Sequence, residues 1–324
     1  MRVLVTGGAG FIGSHVVDRC IMMGYEVDAL DDLSGGLQSN INPEVRHFFN
    51  NDIRDKEFVT GLFNAHRYDY VYHLAAYAAE GLSPYIREYN YDVNVLGSMN
   101  IINGCINGNV KRLVYVSSAA VYGHNGYDAM ECDDPSPCDP YGLAKYTVER
   151  DLALAKDTFG LEYTIFRPFN VYGPRQNTMD KYRNVVGIFI NAALNGEPLR
   201  VFGDGKQIRC FSYIDDVAPV IAESVKYPLS NIVINVGNPT PHTINELAEI
   251  VMSNIPGTTI EYIPARDEAK VVTPLVKDAQ LKTFIGLQSG IRRTIDYIRS
   301  NPREEMPVYP NVEVMKNFPE GWKK

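Results

Sequence analysis

The sequence has little cysteine, a single tryptophan and no long apolar run. Its five cysteines are an odd number without Cys-x-x-Cys spacing, so they indicate neither a disulfide framework nor a zinc site. The six histidines are scattered without the spacing of metal ligands, and no metal is predicted. No apolar stretch approaches the ~20 residues of a membrane span. The chain starts with a strand-like run and no signal segment, so a cytoplasmic location without membrane contact is expected.

Basic residues are fewer than acidic ones. The chain has 31 Lys and Arg against 39 Asp and Glu, a formal net charge of -8. This balance argues against nucleic acid as a partner. The length of 324 residues and the 45% hydrophobic content are ordinary for a globular protein with one large domain or two modest ones.

A glycine-rich loop follows the first strand-like run. Gly7, Gly10 and Gly13 stand at Gly-x-x-Gly-x-x-Gly spacing, and an apolar helical pattern follows over 12–23. Gly7 permits a tight turn, Gly10 lets backbone approach a pyrophosphate, and Gly13 lets the helix pack closely on the strand. The N-terminus of that helix then faces the negative charge. The loop predicts a dinucleotide site.

Two carboxylates end the next strand-like run. Asp31 and Asp32 can accept hydrogen bonds from the adenosine ribose hydroxyls and would repel a 2′-phosphate. The alternative is a solvated strand end. After a glycine loop the first interpretation is favoured, and it predicts NAD rather than NADP.

Strand-like runs alternate with helical segments along the chain, at 2–5, 26–30, 70–73, 112–116, 163–167 and 232–236. This alternation is typical of a parallel sheet covered on both faces. We expect an α/β protein with a doubly wound Rossmann domain over 1–171 and a return segment at about 208–238. A smaller α/β substrate-binding lobe is expected over 172–207 and 239–324.

A redox site is predicted by Ser118, Tyr141 and Lys145. A Tyr four residues before a Lys shares its helical face, so the ammonium and a nicotinamide cation nearby can together favour the ionised phenol, whose ordinary pKa is about 10. Alone, such a pair is more often a surface aromatic beside its neighbour, and Ser118 could simply cap a strand end. The order of glycine loop, strand-end serine and helical Tyr/Lys pair favours a catalytic base near neutral pH.

With these motifs the chain resembles the extended short-chain dehydrogenase/reductase family, and within it the NAD-dependent nucleotide-sugar epimerases of the UDP-galactose 4-epimerase type. The resemblance covers nearly the whole chain and includes 73–76, 167–174 and 201–205. It implies a homodimer paired through helices around 85–105 and 141–159.

The resemblance also implies the site residues. The residues implied for the cofactor are Gly7, Gly10, Phe11, Ile12, Gly13, Asp31, Asp32, Leu33, Ser34, Gly35, Gly36, Asp52, Ile53, Leu74, Ala75, Ala76, Asn94, Tyr141, Lys145, Pro168 and Phe169. Those implied for the nucleotide-sugar are Ser118, Asn170, Asn184, Val185, Phe202, Arg209 and Arg266. Ser118, Tyr141 and Lys145 are the implied catalytic set.

The reaction implied is 4-epimerisation by reversible hydride transfer between C4 of the sugar and bound NAD, with Tyr141 taking the C4 hydroxyl proton. Related dehydratases and decarboxylases carry a carboxylate after the serine, where this chain has Ala119 and Ala120. The alternatives are another NAD-dependent nucleotide-sugar enzyme, namely a UDP-glucuronate 4-epimerase, dehydratase or decarboxylase, and a non-catalytic NAD-binding sensor. The intact Tyr/Lys pair argues against the sensor.

Substrate breadth is predicted from one further position. Counting onward from Arg266 places Thr273 where glucose-selective relatives have a tyrosine beside C2 of the sugar. The smaller side chain predicts that UDP-N-acetylglucosamine and UDP-N-acetylgalactosamine are interconverted alongside UDP-glucose and UDP-galactose. Cys210 and Ala269 depart from the family pattern. The tail over 301–324, which holds the single tryptophan, has no functional interpretation from sequence.

Overall fold

The structure is a computed structural model that describes residues 1–180, 182–265, 271–273, 283–301, 311–319 and 322. Its strands, β1 to β14 in chain order, are Arg2–Thr6, Glu26–Asp31, His47–Asn50, Tyr70–His73, Arg112–Val116, Tyr163–Pro168, Val171–Tyr172, Leu199–Phe202, Ile208–Cys210, Ser212–Tyr213, Ile232–Val236, Pro241–Thr243, Ile260–Ile263 and Val271–Val272. Its helices, α1 to α9, are Phe11–Met22, Lys56–Ala65, Arg87–Tyr91, Ser98–Asn107, Pro140–Phe159, Val185–Leu194, Ile214–Glu223, Ile244–Asn254 and Leu287–Ser300. A π-helical turn, Asp92–Gly97, joins α3 to α4.

A seven-stranded parallel sheet organises the fold, in the order β11-β6-β5-β4-β1-β2-β3. Successive residues of β1 point to opposite faces, so Val3 and Val5 join one apolar layer and Leu4 joins the other. Helices α1 and α7 cover the first layer, and α2, α4 and α5 cover the second. Because both faces are buried, the central strands are nearly continuous apolar runs. The predicted doubly wound α/β fold is confirmed.

The strand order places a crevice at one edge of this sheet. From β1 the order runs outward through β2 and β3 on one side and through β4, β5 and β6 on the other. Ligands of open α/β sheets bind at such a reversal, beyond the carboxyl ends of the strands. Gly7, Asp31, Leu74 and Ser117 follow or end those strands, so the topology brings them to the same edge.

Smaller sheets stand beside the large one. β7 pairs with β10, β8 pairs with β13, and β9 pairs with β12 and β14. Within the predicted return segment, α7 and β11 join the large sheet and its covering layer, whereas β9 pairs into a small sheet. The predicted domain boundaries stay a prediction. In the described part of the chain, every helix is too short or too polar to span a bilayer.

Candidate active site

A cavity of about 1170 Å³ opens at the carboxyl edge of the large sheet. It brings together most of the residues predicted for cofactor and substrate. The predicted residues that line it are Gly7, Gly10, Phe11, Ile12, Gly13, Asp31, Asp32, Ser34, Gly35, Gly36, Asp52, Ile53, Leu74, Ala75, Ala76, Ser118, Tyr141, Lys145, Pro168, Asn170, Asn184, Val185, Phe202 and Arg209.

Three predicted cofactor residues are not among those that line the cavity: Leu33, Asn94 and Phe169. Leu33 has φ +60° and donates its backbone N–H to Asp31 Oδ1 at 2.9 Å. The buried Asn94 holds the backbone of Tyr77, accepting its N–H at 2.9 Å and donating to its carbonyl at 3.2 Å. Phe169 is fully buried and stacks on the ring of Tyr122. Leu33 and Asn94 therefore hold residues of the cavity wall in place.

Thr273 is not among the residues that line the cavity. Its hydroxyl accepts the N–H of Asp128 at 2.9 Å, and its backbone pairs with Gly126 and Ala129. The side chain is buried against that loop because β14, just before it, adds to β9. Thr273 therefore lies outside the cavity wall, and its contact with a C2 substituent stays a prediction. Arg266 lies outside the described residues.

The glycine loop has the geometry that a dinucleotide needs. Gly7 has φ +71°, and a Cβ on Gly13 would lie 1.9 Å from the Gly7 carbonyl oxygen, so only glycine lets α1 pack this close. Helix α1 begins after Gly10, which supplies no side-chain cap. Its first backbone N–H groups therefore face the cavity without a side-chain acceptor, as pyrophosphate binding requires. The residues fit NAD here.

Asp31 joins this loop to the end of β2. One carboxylate oxygen accepts the N–H of Ala9 at 3.0 Å and the other accepts that of Leu33 at 2.9 Å. Burial raises the pKa of Asp31, and these backbone hydrogen bonds oppose the rise. Each oxygen has a second lone pair, so the carboxylate can also accept from a ribose hydroxyl.

The predicted catalytic residues meet where β5 and α5 face each other. Asp139 caps α5 by accepting the N–H of Gly142 at 2.8 Å, and Pro140 occupies its first turn. This cap places Tyr141 in the first turn and Lys145 one turn later. Ser118, which lies just after β5, acts on the phenol of Tyr141 and favours its ionised form.

Lys145 is anchored to the strand beside the helix. Its Nζ donates to the carbonyl of Val116 at 2.8 Å and lies 4.8 Å from the ring centroid of Tyr115. Burial lowers the pKa of Lys145 to about 7, and the charge of Glu149 opposes this shift. The low dielectric around the amine disfavours its charged form.

The phenol of Tyr141 is also buried. Burial raises the pKa of Tyr141 above its ordinary value, the carboxylates of Glu80 and Asp139 add to the rise, and the Ser118 hydrogen bond and the Arg183 charge oppose it. Desolvation of the phenol is the largest of these effects. The base near neutral pH that the sequence predicts depends also on a nicotinamide cation and stays a prediction.

The buried ion pair between Glu149 and Arg167 supports the catalytic site. Glu149 accepts two hydrogen bonds from Arg167, at 3.0 and 2.6 Å, and a third from Ser117 Oγ at 2.5 Å. The guanidinium lies 4.7 Å from the ring centroid of Tyr122. The pair therefore ties α5, which carries Tyr141 and Lys145, to the ends of β5 and β6.

The cavity also contains residues that sequence reasoning missed. Glu80 and Arg183 line it, and Arg183 donates to Asp180 at 2.9 Å and lies 5.1 Å from the ring centroid of Tyr77. No motif marks either residue. Trp322 lines it as well, and the only signal in the sequence is that it is the single tryptophan. Among the described residues, no cluster of His, Cys, Asp or Glu is arranged to hold a metal ion.

The chain is similar to known proteins over most of its length. The sequence profile of the NAD dependent epimerase/dehydratase family matches residues 3–237. A Methanocaldococcus jannaschii protein assigned as a UDP-glucose 4-epimerase is 37% identical over 308 residues, which cover 93% of this chain and 99% of that protein.

Two solved structures are similar over nearly the whole chain. The UDP-glucose 4-epimerase of Thermotoga maritima with UDP-glucose has a TM-score of 0.87 and 34% identity, covering 93% of this chain and 99% of its own. The UDP-N-acetylglucosamine 4-epimerase of Methanobrevibacter ruminantium M1, in complex with UDP-N-acetylmuramic acid, has a TM-score of 0.85 and 32% identity. The match covers 92% of this chain and 98% of that one. The chain therefore belongs to the NAD-dependent epimerase/dehydratase family, and NAD is its cofactor.

Proposed function

We propose that this protein is a nucleotide-sugar 4-epimerase that interconverts UDP-glucose and UDP-galactose. The observation that carries the proposal is the convergence of Ser118, Tyr141 and Lys145 on the cavity that the glycine loop also lines. Asn184 and Phe202, which belong to the segments after β7, line the same cavity. A nucleotide-sugar held there would lie between the cofactor and the second lobe, which we assign to 172–207 and 239–324.

The reaction follows from the positions of the side chains. When bound, NAD would supply a reversible acceptor for the hydride at C4 and, in its oxidised form, a positively charged nicotinamide. Tyr141 takes the proton of the C4 hydroxyl, and Ser118 holds that oxygen by a hydrogen bond. Lys145 supports the phenolate from the same helical face and holds the cofactor ribose. The nucleotide stays anchored while the sugar turns its other face to the cofactor, so most binding energy belongs on the nucleotide.

One feature favours an epimerase over a dehydratase or a decarboxylase. Ala119 and Ala120 follow Ser118, where related dehydratases and decarboxylases carry a carboxylate.

We extend the proposal to the N-acetylated pair, UDP-N-acetylglucosamine and UDP-N-acetylgalactosamine. This extension is supported by the similarity to the M. ruminantium enzyme, since Thr273 does not line the cavity. The extension therefore rests on overall similarity and not on a named pocket residue.

We also propose that the protein is a homodimer in the cytoplasm. Leu143 and Leu154 on α5 are 45% and 62% exposed and stand eleven residues apart, three turns along one face. Leu96, in the turn before α4, is 59% exposed, and α4 packs beside α5. A second copy pairing α4 and α5 across a two-fold axis would cover these leucines.

A substrate panel tests the activity. We expect the holoenzyme to convert UDP-glucose to UDP-galactose, and the N-acetylated pair likewise, while UDP-glucuronate stays unchanged when products are resolved by NMR. Tyr141→Phe should keep NAD but lose at least about 100-fold in turnover, because it removes the proton acceptor and keeps the ring. Tyr146→Phe, on the same helix and outside the cavity wall, is the matched control. Full activity of Tyr141→Phe would reject the mechanism.

A further inference from the structure

The C-terminal segment 311–319 is fastened to the segment that follows β4. The backbone N–H groups of Glu313 and Val314 donate to the carbonyl of Tyr85, at 2.8 and 3.2 Å. The phenol of Tyr85 returns a hydrogen bond to the carbonyl of Asn317 at 2.8 Å. The Glu313 carboxylate accepts the N–H groups of Glu88 and Tyr89, at 2.8 and 3.0 Å. This segment is therefore docked through several specific hydrogen bonds.

An aromatic cluster stands at the end of the docked segment. Trp322 is only 7% exposed, and its ring meets those of Tyr182 and Phe318 at centroid distances of 5.2 and 5.8 Å. It also meets Phe202 and Tyr85, each at 6.4 Å. The contacts to Tyr182, Phe202 and Tyr85 are edge-to-face, an arrangement that stabilises aromatic pairs. Four separate stretches of chain are thus joined through one indole.

This cluster forms part of the cavity wall. Pro319 and Trp322 line the cavity together with Phe202, Tyr182 and Tyr85. Phe202 ends β8, which pairs with β13 in a small sheet outside the large one. Trp322 packs edge-to-face against Phe202 in this wall.

From these contacts we propose that the C-terminal segment completes the nucleotide-sugar site, with Trp322 as a binding residue for the nucleoside diphosphate. The inference rests on the proposed function and adds to it the residue that holds the nucleotide against Phe202. An indole offers a broad apolar and polarisable face to a pyrimidine base. Glu313 fixes the segment that carries it and acts as a positioning residue.

The single tryptophan allows UDP binding to the wild-type protein to be followed by intrinsic fluorescence. Because Trp322 is the source of all tryptophan emission, UDP added to the NAD-loaded protein should change that emission saturably. The midpoint should match the Kd for UDP from calorimetry. Trp322→Ala should raise that Kd by about tenfold, the effect of losing one base–aromatic contact. Trp322→Phe should recover part of the loss, and the affinity for NAD should stay at the wild-type value in both.

Controls separate the possible failures. Tyr227→Ala removes an exposed aromatic outside the cavity wall and should leave the UDP affinity unchanged. Thermal melts and bound NAD establish that each variant is folded. Unchanged emission at saturating UDP, or an unchanged Kd in Trp322→Ala, overturns this inference alone. A wild-type protein that binds no UDP overturns the proposed function together with the inference.

Discussion

The hydrogen bond between Ser118 and Tyr141 acts against the burial that raises the pKa of the phenol. The base in the proposed reaction is the deprotonated phenol, so turnover increases as the pH rises through that pKa. Removing the Ser118 hydroxyl removes an interaction that lowers the pKa. The pKa of Tyr141 must then rise further, and the acid limb of the activity profile must move to higher pH.

The Ser118→Ala variant tests the direction of this change in the pKa of Tyr141. Its kcat profile against pH should keep the wild-type shape with the acid limb displaced upward. A hydrogen bond to a charged group contributes about 1.5–3 kcal/mol, so kcat near neutral pH should fall by at least about tenfold. Ser118→Thr keeps a hydroxyl and is the control. An acid limb that moves downward in the alanine variant would contradict the assignment of Tyr141 as the base.

At the scale of elements, helix α5 carries Tyr141, Lys145 and Glu149 at intervals of four, so one face holds the base, its partner and their support. Glu149 and Arg167 are each 4% exposed and hydrogen-bonded twice to each other. Removing one charge from a buried pair leaves the other uncompensated. The position of α5 therefore depends on this pair.

We expect Glu149→Gln to lower the free energy of unfolding by about 3–5 kcal/mol, because Arg167 would stay buried without its counter-charge. Denaturant unfolding followed by circular dichroism measures the change. Lys156→Gln, on the same helix, breaks the partly exposed pair with Glu162 and should cost at most about 1 kcal/mol. Equal losses in the two variants would show that the buried pair does not fasten α5.

The sequence was sufficient for elements whose signals are local. The glycine turn before α1 follows from residue type and spacing, and the helix predicted around 141–159 is α5, Pro140–Phe159. Strand β3 was not predicted, since His47–Asn50 is short, lies at the sheet edge and alternates only weakly. The helical spacing placed Lys145 beside Tyr141 but could not show the Val116 carbonyl on β5 that anchors it.

Contacts between distant segments determine the positions of Thr273 and Trp322, which the sequence alone did not show. Thr273 was placed by counting from Arg266, and its pairing with the loop of Asp128 depends on β14 joining β9. Trp322 reaches the cavity through bonds between Tyr85 and residues more than 200 positions later. No periodicity records such pairings, so only the folded chain reveals them.

At the scale of the molecule, the exposed leucines of α5 predict the assembly. Leu143→Glu combined with Leu154→Glu places charge on the face proposed to meet a second copy, so the wild-type dimer should become a monomer in light scattering after size exclusion. Met22→Glu, which alters a 75% exposed side chain on α1, should leave the dimer intact. A monomeric wild-type protein, or a double variant that remains dimeric, would contradict the proposed interface.

The central claim is that the hydrogen at C4 leaves the sugar and returns to it within one closed site. UDP-glucose labelled with deuterium at C4, incubated with the NAD-loaded protein in ordinary water, tests this claim most directly. The account predicts UDP-galactose that retains the deuterium at C4 in NMR and mass spectra, since the label never meets solvent. Product that has lost the label to water, or label recovered only in unreacted UDP-glucose, would contradict it.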